Sequence, residues 1–346
     1  MNVGRALGTA GTLATIFFAL PAYAQFSAGA YGANIAILLS PLYPTPLSNV
    51  HLSLEETGVD LSGSSITWSA GGKVVAQGTG RDSVDLKAGA LGSELSVEAD
   101  VTTQDGTRYS AKAIIAPTQL DLLIDSDSYT PPFYLGRALP SAGVDLIVQA
   151  LAHFKRLNGS FIPDADITYT WKQSGQVLGS ISGRGKSSVI IPIEHLYGGS
   201  DITVVAKSSD GSRAGETTLS VPLTKPVLDL YEDHPLYGIL YGNALSPVSH
   251  ITEGEMAFSA VPYFGEARAV NDPALSYDWR VNDTRIPASA GAPQEITINA
   301  HDSSGHADVS LEVTHASNYY FDATGEWNIF LASASAAQDP FHAAGQ

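Results

Sequence analysis

The stretch Tyr169-Thr170-Trp171-Lys172 decides how the rest of the chain reads, because it occurs in three versions. The others are Ile66-Thr67-Trp68-Ser69 and Tyr277-Asp278-Trp279-Arg280. The three tryptophans stand 103 and 108 residues apart, close to the length of one β-sandwich domain. Twelve residues after each lies a glycine: Gly80, Gly183 and Gly291. A short alternating run follows in each case, namely Ser83–Leu86, Ser188–Ile191 and Glu295–Ile298. Then comes a longer run of period two, at Leu95–Ala99, Ile202–Ala206 and Val309–Val313. In the first two copies an Asp-Gly pair follows, Asp105-Gly106 and Asp210-Gly211, which between alternating runs marks a hairpin.

Upstream of the tryptophans the pattern also recurs. Strands are expected at Val50–Leu54, Val144–Val148 and Met256–Ala260, with opening strands at Ala33–Leu39, Leu120–Ile124 and Val227–Tyr231. Self-similarity at a nearly fixed period marks an array of modules. Short alternating strands bounded by Gly, Pro, Asn and Asp indicate antiparallel sheets with one wet face. Long amphipathic helices are absent from the pattern, and only Ile193–Tyr197 and the stretch Asp145–Arg156 have room for a helical turn. The expected fold is therefore all-β, a tandem array of about three immunoglobulin-like antiparallel sandwiches, each of about seven strands. The expected boundaries are 1–24 (signal peptide), 25–117, 118–222 and 223–335 (three repeats) and 336–346 (a flexible tail). The repeated register assigns Trp68, Trp171 and Trp279 to the cores.

The Tyr-x-Trp motif, Ile-x-Trp in the first copy, followed by a turn and a glycine, resembles the PKD-like and bacterial Ig-like repeat domains of cell-surface proteins. The resemblance covers roughly residues 30 to 332 and implies a tryptophan on a central strand filling the sandwich core. The third repeat departs from the pattern with an insertion at Phe264–Pro273 and a Tyr319-Tyr320-Phe321 stretch in its last hairpin.

The chain begins as an exported protein would. Arg5 is the only early charge, Leu13–Leu20 is apolar, and Ala22-Tyr23-Ala24 before Gln25 has the small-x-small form of a cleavage site. The apolar run is short for a membrane span, and the mature chain is expected to carry no span of its own. Export through the general secretory route places the protein outside the cytoplasm. The net charge of −17 argues against nucleic acid and against electrostatic binding to anionic membranes. With no cysteine, stability must come from the cores.

Motifs that suggest chemistry lose their context. Gly183-Arg184-Gly185-Lys186-Ser187 ends like a phosphate loop, but Ser180 stands where the first glycine belongs and a strand pattern follows instead of a helix. His301, Asp302 and His306 offer at most a weak zinc set. No Gly-x-Ser-x-Gly elbow occurs, and an enzyme is not expected. Carboxylates gathered at the inter-repeat joints, Asp121, Asp125 and Asp127, then Asp229, Glu232 and Asp233, are weak calcium candidates by ligand type. No cofactor other than calcium is suggested.

The loop aromatics Tyr129, Phe133, Tyr134, Tyr237 and Tyr241 have two readings. They either pack over a sandwich or form a binding surface for a peptide or glycan. The expected role is a non-catalytic structural, adhesive or protein-binding module with a protein or glycan partner at the cell surface. A subunit of a pilus- or secretion-associated envelope assembly and a carbohydrate-binding accessory protein are the alternatives.

Overall fold

The computed structural model describes residues 34–194, 199–251, 255–299 and 305–331. The expected signal peptide 1–24 and tail 336–346 lie outside the described residues, as do His301 and Asp302. Part of Ile193–Tyr197 also lies outside them.

The first sandwich has seven strands: β1 (Asn34–Ser40), β2 (Asn49–Thr57), β3 (Ser65–Ala70), β4 (Lys73–Thr79), β5 (Ser83–Lys87), β6 (Leu95–Thr102) and β7 (Arg108–Ile115). They form two sheets, ordered β1-β2-β5 and β4-β3-β6-β7. The second contains β8 (Gln119–Ser126), β9 (Asp145–His153), β10 (Ile167–Gln173), β11 (Gln176–Val177), β12 (Gly183–Arg184), β13 (Ser188–Pro192), β14 (Gly199–Ser208) and β15 (Ala214–Pro222). Its sheets run β13-β9-β8 and β11-β10-β14-β15, with β12 also on β10. The third contains β16 (Val227–His234), β17 (Gly238–Ala244), β18 (Val248–Ile251), β19 (Glu255–Tyr263), β20 (Leu275–Val281), β21 (Thr284–Ile286), β22 (Glu295–Asn299), β23 (Gly305–His315) and β24 (Asp322–Leu331). Its sheets run β17-β16-β19-β22 and β18-β24-β23-β20-β21. The chain is thus an all-β tandem array of immunoglobulin-like sandwiches.

The expected strands all form, because alternation gives each one a dry face. Asp145–Arg156 is the exception to the reading above: most of it is β9, with period-two burial over its first six residues and pairing to β8 and β13, not a helical turn. Among the described residues the sole helical segment is a single 3-10 turn at Asp164–Asp166. The phosphate-loop lookalike is the short strand β12 followed by β13.

The tryptophans explain the repeat. Trp68, Trp171 and Trp279 lie on β3, β10 and β20 and are buried almost completely. Burying one such ring removes about 200 Å² from water, worth roughly 5 kcal/mol. Each indole Nε1–H also donates to a backbone carbonyl: Trp68 to Arg81 (2.9 Å), Trp171 to Lys186 (2.8 Å) and Trp279 to Pro293 (3.0 Å). Each acceptor stands two residues before the strand that completes the opposite sheet, β5, β13 or β22. The carbonyl of the next residue, Asp82, Ser187 or Gln294, accepts the N–H of Leu54, Ala150 or Ala260. One indole therefore ties the two sheets together in all three modules, with its own N–H satisfied.

By compactness the chain divides into two units. Unit 1 comprises residues up to 119 together with the tips 153–162 and 208–215. Its center is the cluster around Val50, Leu52, Ile66, Trp68, Val97 and Ile115. Within it the wholly buried Arg213 side chain donates from Nε to Lys155 O (2.8 Å), from Nη2 to Gly92 O (3.1 Å) and from Nη1 to Ser212 O (2.8 Å). Nη1 also binds the Glu94 carboxylate. Unit 2 comprises the described residues of 120–152, 163–207 and 216–331. The third sandwich's core gathers Leu230, Phe258, Trp279, Leu311, Trp327 and Ile329.

Candidate binding face on the third sandwich

A second apolar cluster in unit 2 sits on the outer face of the β17-β16-β19-β22 sheet. In β16, Leu228 and Leu230 point into the core, so alternation turns Asp229, Tyr231 and Asp233 outward. In β19, Phe258 and Ala260 point inward, which turns Ser259, Val261 and Tyr263 outward. Tyr231, Val261 and Tyr263 are buried there, with Tyr129, Ile239, Tyr241 and Phe264 packed against them.

The aromatic geometry is specific. The Tyr231 and Tyr263 hydroxyls share a 2.6 Å hydrogen bond. Tyr134 meets Tyr263 and Phe264 edge-on, with ring centers 5.7 and 5.8 Å apart. Tyr231 and Tyr241 lie 5.6 Å apart. The loop bearing Tyr129 and Tyr134 is stitched down by two backbone bonds, Tyr129 N–H to Gly265 O (2.8 Å) and Phe264 N–H to Tyr129 O (2.7 Å). Burial pushes the Tyr129 phenol up to about 12, aided by Tyr241 and Tyr263. Burial likewise raises Tyr263 and Tyr241.

Backbone irregularities shape this face. Phe133 and Phe264 have φ of 68° and 61°, left-handed values that bulky side chains rarely adopt. Between β16 and β17 the register slips: one residue separates Tyr231 from Asp233, whereas four separate their partners Ala244 and Ile239. The extra residues form a bulge, Leu240–Asn243, at a sheet edge, where bulges re-aim side chains. A groove of about 650 Å³ opens there, between this bulge, Tyr263 and the segment Pro131–Leu135. Phe133 is 90 % exposed, Leu236 82 % and Tyr237 77 %. A more polar cleft of about 890 Å³ lies in the same unit, bordered by Asp127, Thr130, Arg268, Asp272 and His315.

The structure therefore divides the loop aromatics. Tyr129, Tyr134 and Tyr241 pack on the outer sheet face, while Phe133 and Tyr237 stand in solvent. The sequence reading missed Tyr231, Tyr263 and Phe264. The signal for Tyr231 was present, since alternation about Leu228 and Leu230 excludes it from the core. Tyr241, read as a loop aromatic, lies instead on the strand β17 (Gly238–Ala244), which extends the sheet past β16.

The calcium candidates do not converge. Asp121 and Asp125 lie on β8, and Asp229, Glu232 and Asp233 lie on β16, not in joint loops. Asp121 and Asp125, like Asp229 and Asp233, stand four steps apart along an extended strand, about 13 Å, too far for one small cation to take both carboxylates. Asp127 follows β8 and borders the polar cleft. Among the described residues no group of three or more His, Cys, Asp or Glu is placed to hold a metal ion. His306 is exposed and lies beside Phe330.

No protein-family model matches the chain, and no curated protein matches it. Solved structures match the chain at low identity and low TM-score. The fibronectin(III)-like modules of Clostridium thermocellum CbhA are 13 % identical, covering 54 % of this chain and 94 % of theirs, at a TM-score of 0.26. The three N-terminal domains of the bacteriophage RB49 outer capsid protein Hoc are 11 % identical, covering 86 % of this chain and 98 % of theirs, at a TM-score of 0.26. A Bacteroides ovatus glucan-utilization protein, SGBP-B, in complex with a mixed-linkage heptasaccharide, is 14 % identical, covering 86 % and 70 % at a TM-score of 0.23. No helix among the described residues is long and apolar enough to cross a membrane.

Proposed function

We propose that this chain is an exported, non-catalytic array of immunoglobulin-like modules that binds a protein partner at the cell surface through the aromatic groove of its third sandwich. The observation that carries this reading is the pairing of a locked aromatic floor with exposed apolar side chains. Tyr134, Tyr231, Tyr241 and Tyr263 are held by ring contacts and a hydroxyl pair, while Phe133, on the groove wall, is left in water, and Leu236 and Tyr237 of the turn between β16 and β17 are exposed as well. Exposed apolar clusters on a rigid scaffold mark interaction sites. The groove's walls are proline, aromatic and aliphatic side chains with few polar groups, which suits a peptide segment over a sugar.

Binding of the purified mature chain to cells lacking it tests this reading. Saturable binding that protease treatment of the cells abolishes, and that Phe133→Ala with Tyr237→Ala weakens, is the expected result. Binding abolished by periodate oxidation of surface glycans instead, and indifferent to protease, overturns the protein partner. The polar cleft beside His315 and Asp272 supports a second reading, a carbohydrate-binding accessory protein, which that outcome selects.

A further inference from the structure

The outer face that floors the groove carries three carboxylates that form no ion pair among the described residues. Asp229 and Asp233 project from β16, and Glu295 projects from β22 on the far side of β19, in register with Ser259 and Tyr231. None of the three is ion-paired with a described Arg, Lys or His. The contrast within the same sandwich is direct: on its other sheet Asp278 is paired with Arg285 at 2.8 Å and Arg280 at 3.7 Å. Burial raises the Asp229 and Glu295 carboxyls above their ordinary values, and Asp233 adds to the effect on Glu295. Burial thus disfavors the charged forms of Asp229 and Glu295, and a cation on this face would favor them.

Two buried polar atoms on the same sheet also lack partners. The Ser259 hydroxyl, wholly buried between Tyr231 and Glu295 in the cross-strand register, makes no hydrogen bond, and neither does Gln294 Oε1. Gln294 spends its amide on Glu295, at 3.2 Å. Native interiors seldom leave such atoms unmatched.

Spacing selects the kind of cation. Four residue steps along the strand carry Asp229 to Asp233, about 13 Å, and two strand spacings separate β16 from β22, about 10 Å. One metal ion cannot bridge that footprint, but guanidinium or ammonium groups at alternate positions of an extended segment match it. Tyrosine faces flanking the acids add favorable contact with such cations.

We propose that the third sandwich recognizes a basic segment of its protein partner, with Arg or Lys side chains on Asp229, Asp233 and Glu295 and its apolar residues in the groove between Tyr241 and the Pro131–Leu135 segment. This rests on the protein-binding reading and names the chemistry of the partner. The chain's net charge of −17 steers such a partner from a distance.

The test is fluorescence anisotropy of a labeled nonapeptide, arginine at alternate positions among leucine and serine, titrated with the mature chain at several salt concentrations. A matched peptide with glutamine for arginine serves as the uncharged probe. The expected result is saturable binding that weakens with salt and falls at least tenfold in the triple variant Asp229→Asn, Asp233→Asn, Glu295→Gln. A second triple variant, Glu55→Gln, Asp82→Asn and Asp100→Asn, changes the net charge equally on the first sandwich and is expected to bind as wild type. Equal loss in both triple variants overturns the proposal, because net charge alone then explains the binding. Equal affinity for the glutamine peptide overturns the basic segment but leaves a protein-binding groove. Failure of both peptides, with binding of a glucan oligosaccharide, overturns both readings.

Discussion

Arg213→Met removes a guanidinium whose side chain has no solvent exposure, while keeping a flexible apolar stem in its place. Three backbone carbonyls, Lys155, Gly92 and Ser212, lose a donor, and the Glu94 carboxylate loses its cation. Breaking a buried ion pair by deleting one partner costs about 3–5 kcal/mol. The Glu94 side chain is 29 % exposed, so water partly re-solvates it and the lower end applies, about 3 kcal/mol. At about 1.4 kcal/mol per factor of ten, that is roughly a 100-fold change in an opening equilibrium. The bonds hold the tips 153–162 and 208–215 within unit 1, so the loss is expected as local opening there. Native-state hydrogen exchange reads it at the amides of Arg156, Ile162, Ser208 and Gly211, each of which donates to a backbone carbonyl within these tips. Their exchange should accelerate about 100-fold, while amides of β20 and β23 in unit 2 stay unchanged. Adding Glu94→Leu removes the stranded charge and should restore part of the protection. Protection of the tips within threefold of wild type in Arg213→Met refutes the reasoning.

Trp171→Phe deletes the indole N–H and leaves the Lys186 carbonyl without that partner, at a cost of about 1–3 kcal/mol plus the lost ring area. Trp68→Phe and Trp279→Phe should each cost a similar amount in urea unfolding, and a spread beyond threefold counts against a shared latch. Phe133→Gly removes an exposed ring from a left-handed backbone position, so it should be no less stable than wild type in thermal melts while weakening cell binding. The Asp210 carboxyl is held down to about 2 by the Ser208 hydroxyl and Ser212. Its contribution is therefore complete above about pH 4 and is lost as pH falls toward 2, so the Tm gap between wild type and Asp210→Ala should close over that window. The Tyr129 phenol, raised to about 12, favors its neutral form in the fold. The unfolded chain ionizes near pH 10, so stability should fall as pH rises from about 10 to 12, and Tyr129→Phe should flatten that fall.

The sandwich array was legible because its signals are local. The period-two runs at Leu95–Ala99 and Ile202–Ala206, the Asp-Gly tips and the spacing of the tryptophans each depend on residues close in sequence. The β9 segment misled for the same reason: Asp145–Arg156 is apolar enough for either period, and only its pairing between β8 and β13 settles it as a strand. Likewise Tyr129 and Tyr134 were visible as aromatics outside the strands, but nothing in their neighborhood names Phe264 and Gly265, more than a hundred residues away, as the partners that anchor them.

Composition and periodicity by themselves determined three modules, their strand order along the chain and the three core tryptophans, since alternation must bury one face of each sheet whatever the loops do. Tertiary structure alone decided the proposed binding face. The bulge at Leu240–Asn243, the Tyr231–Tyr263 hydroxyl pair and the gathering of Asp229, Asp233 and Glu295 on one face arise from how separate strands register against one another. Register across a sheet is a long-range packing outcome, in which one residue of slip exchanges the faces, and no local pattern encodes it.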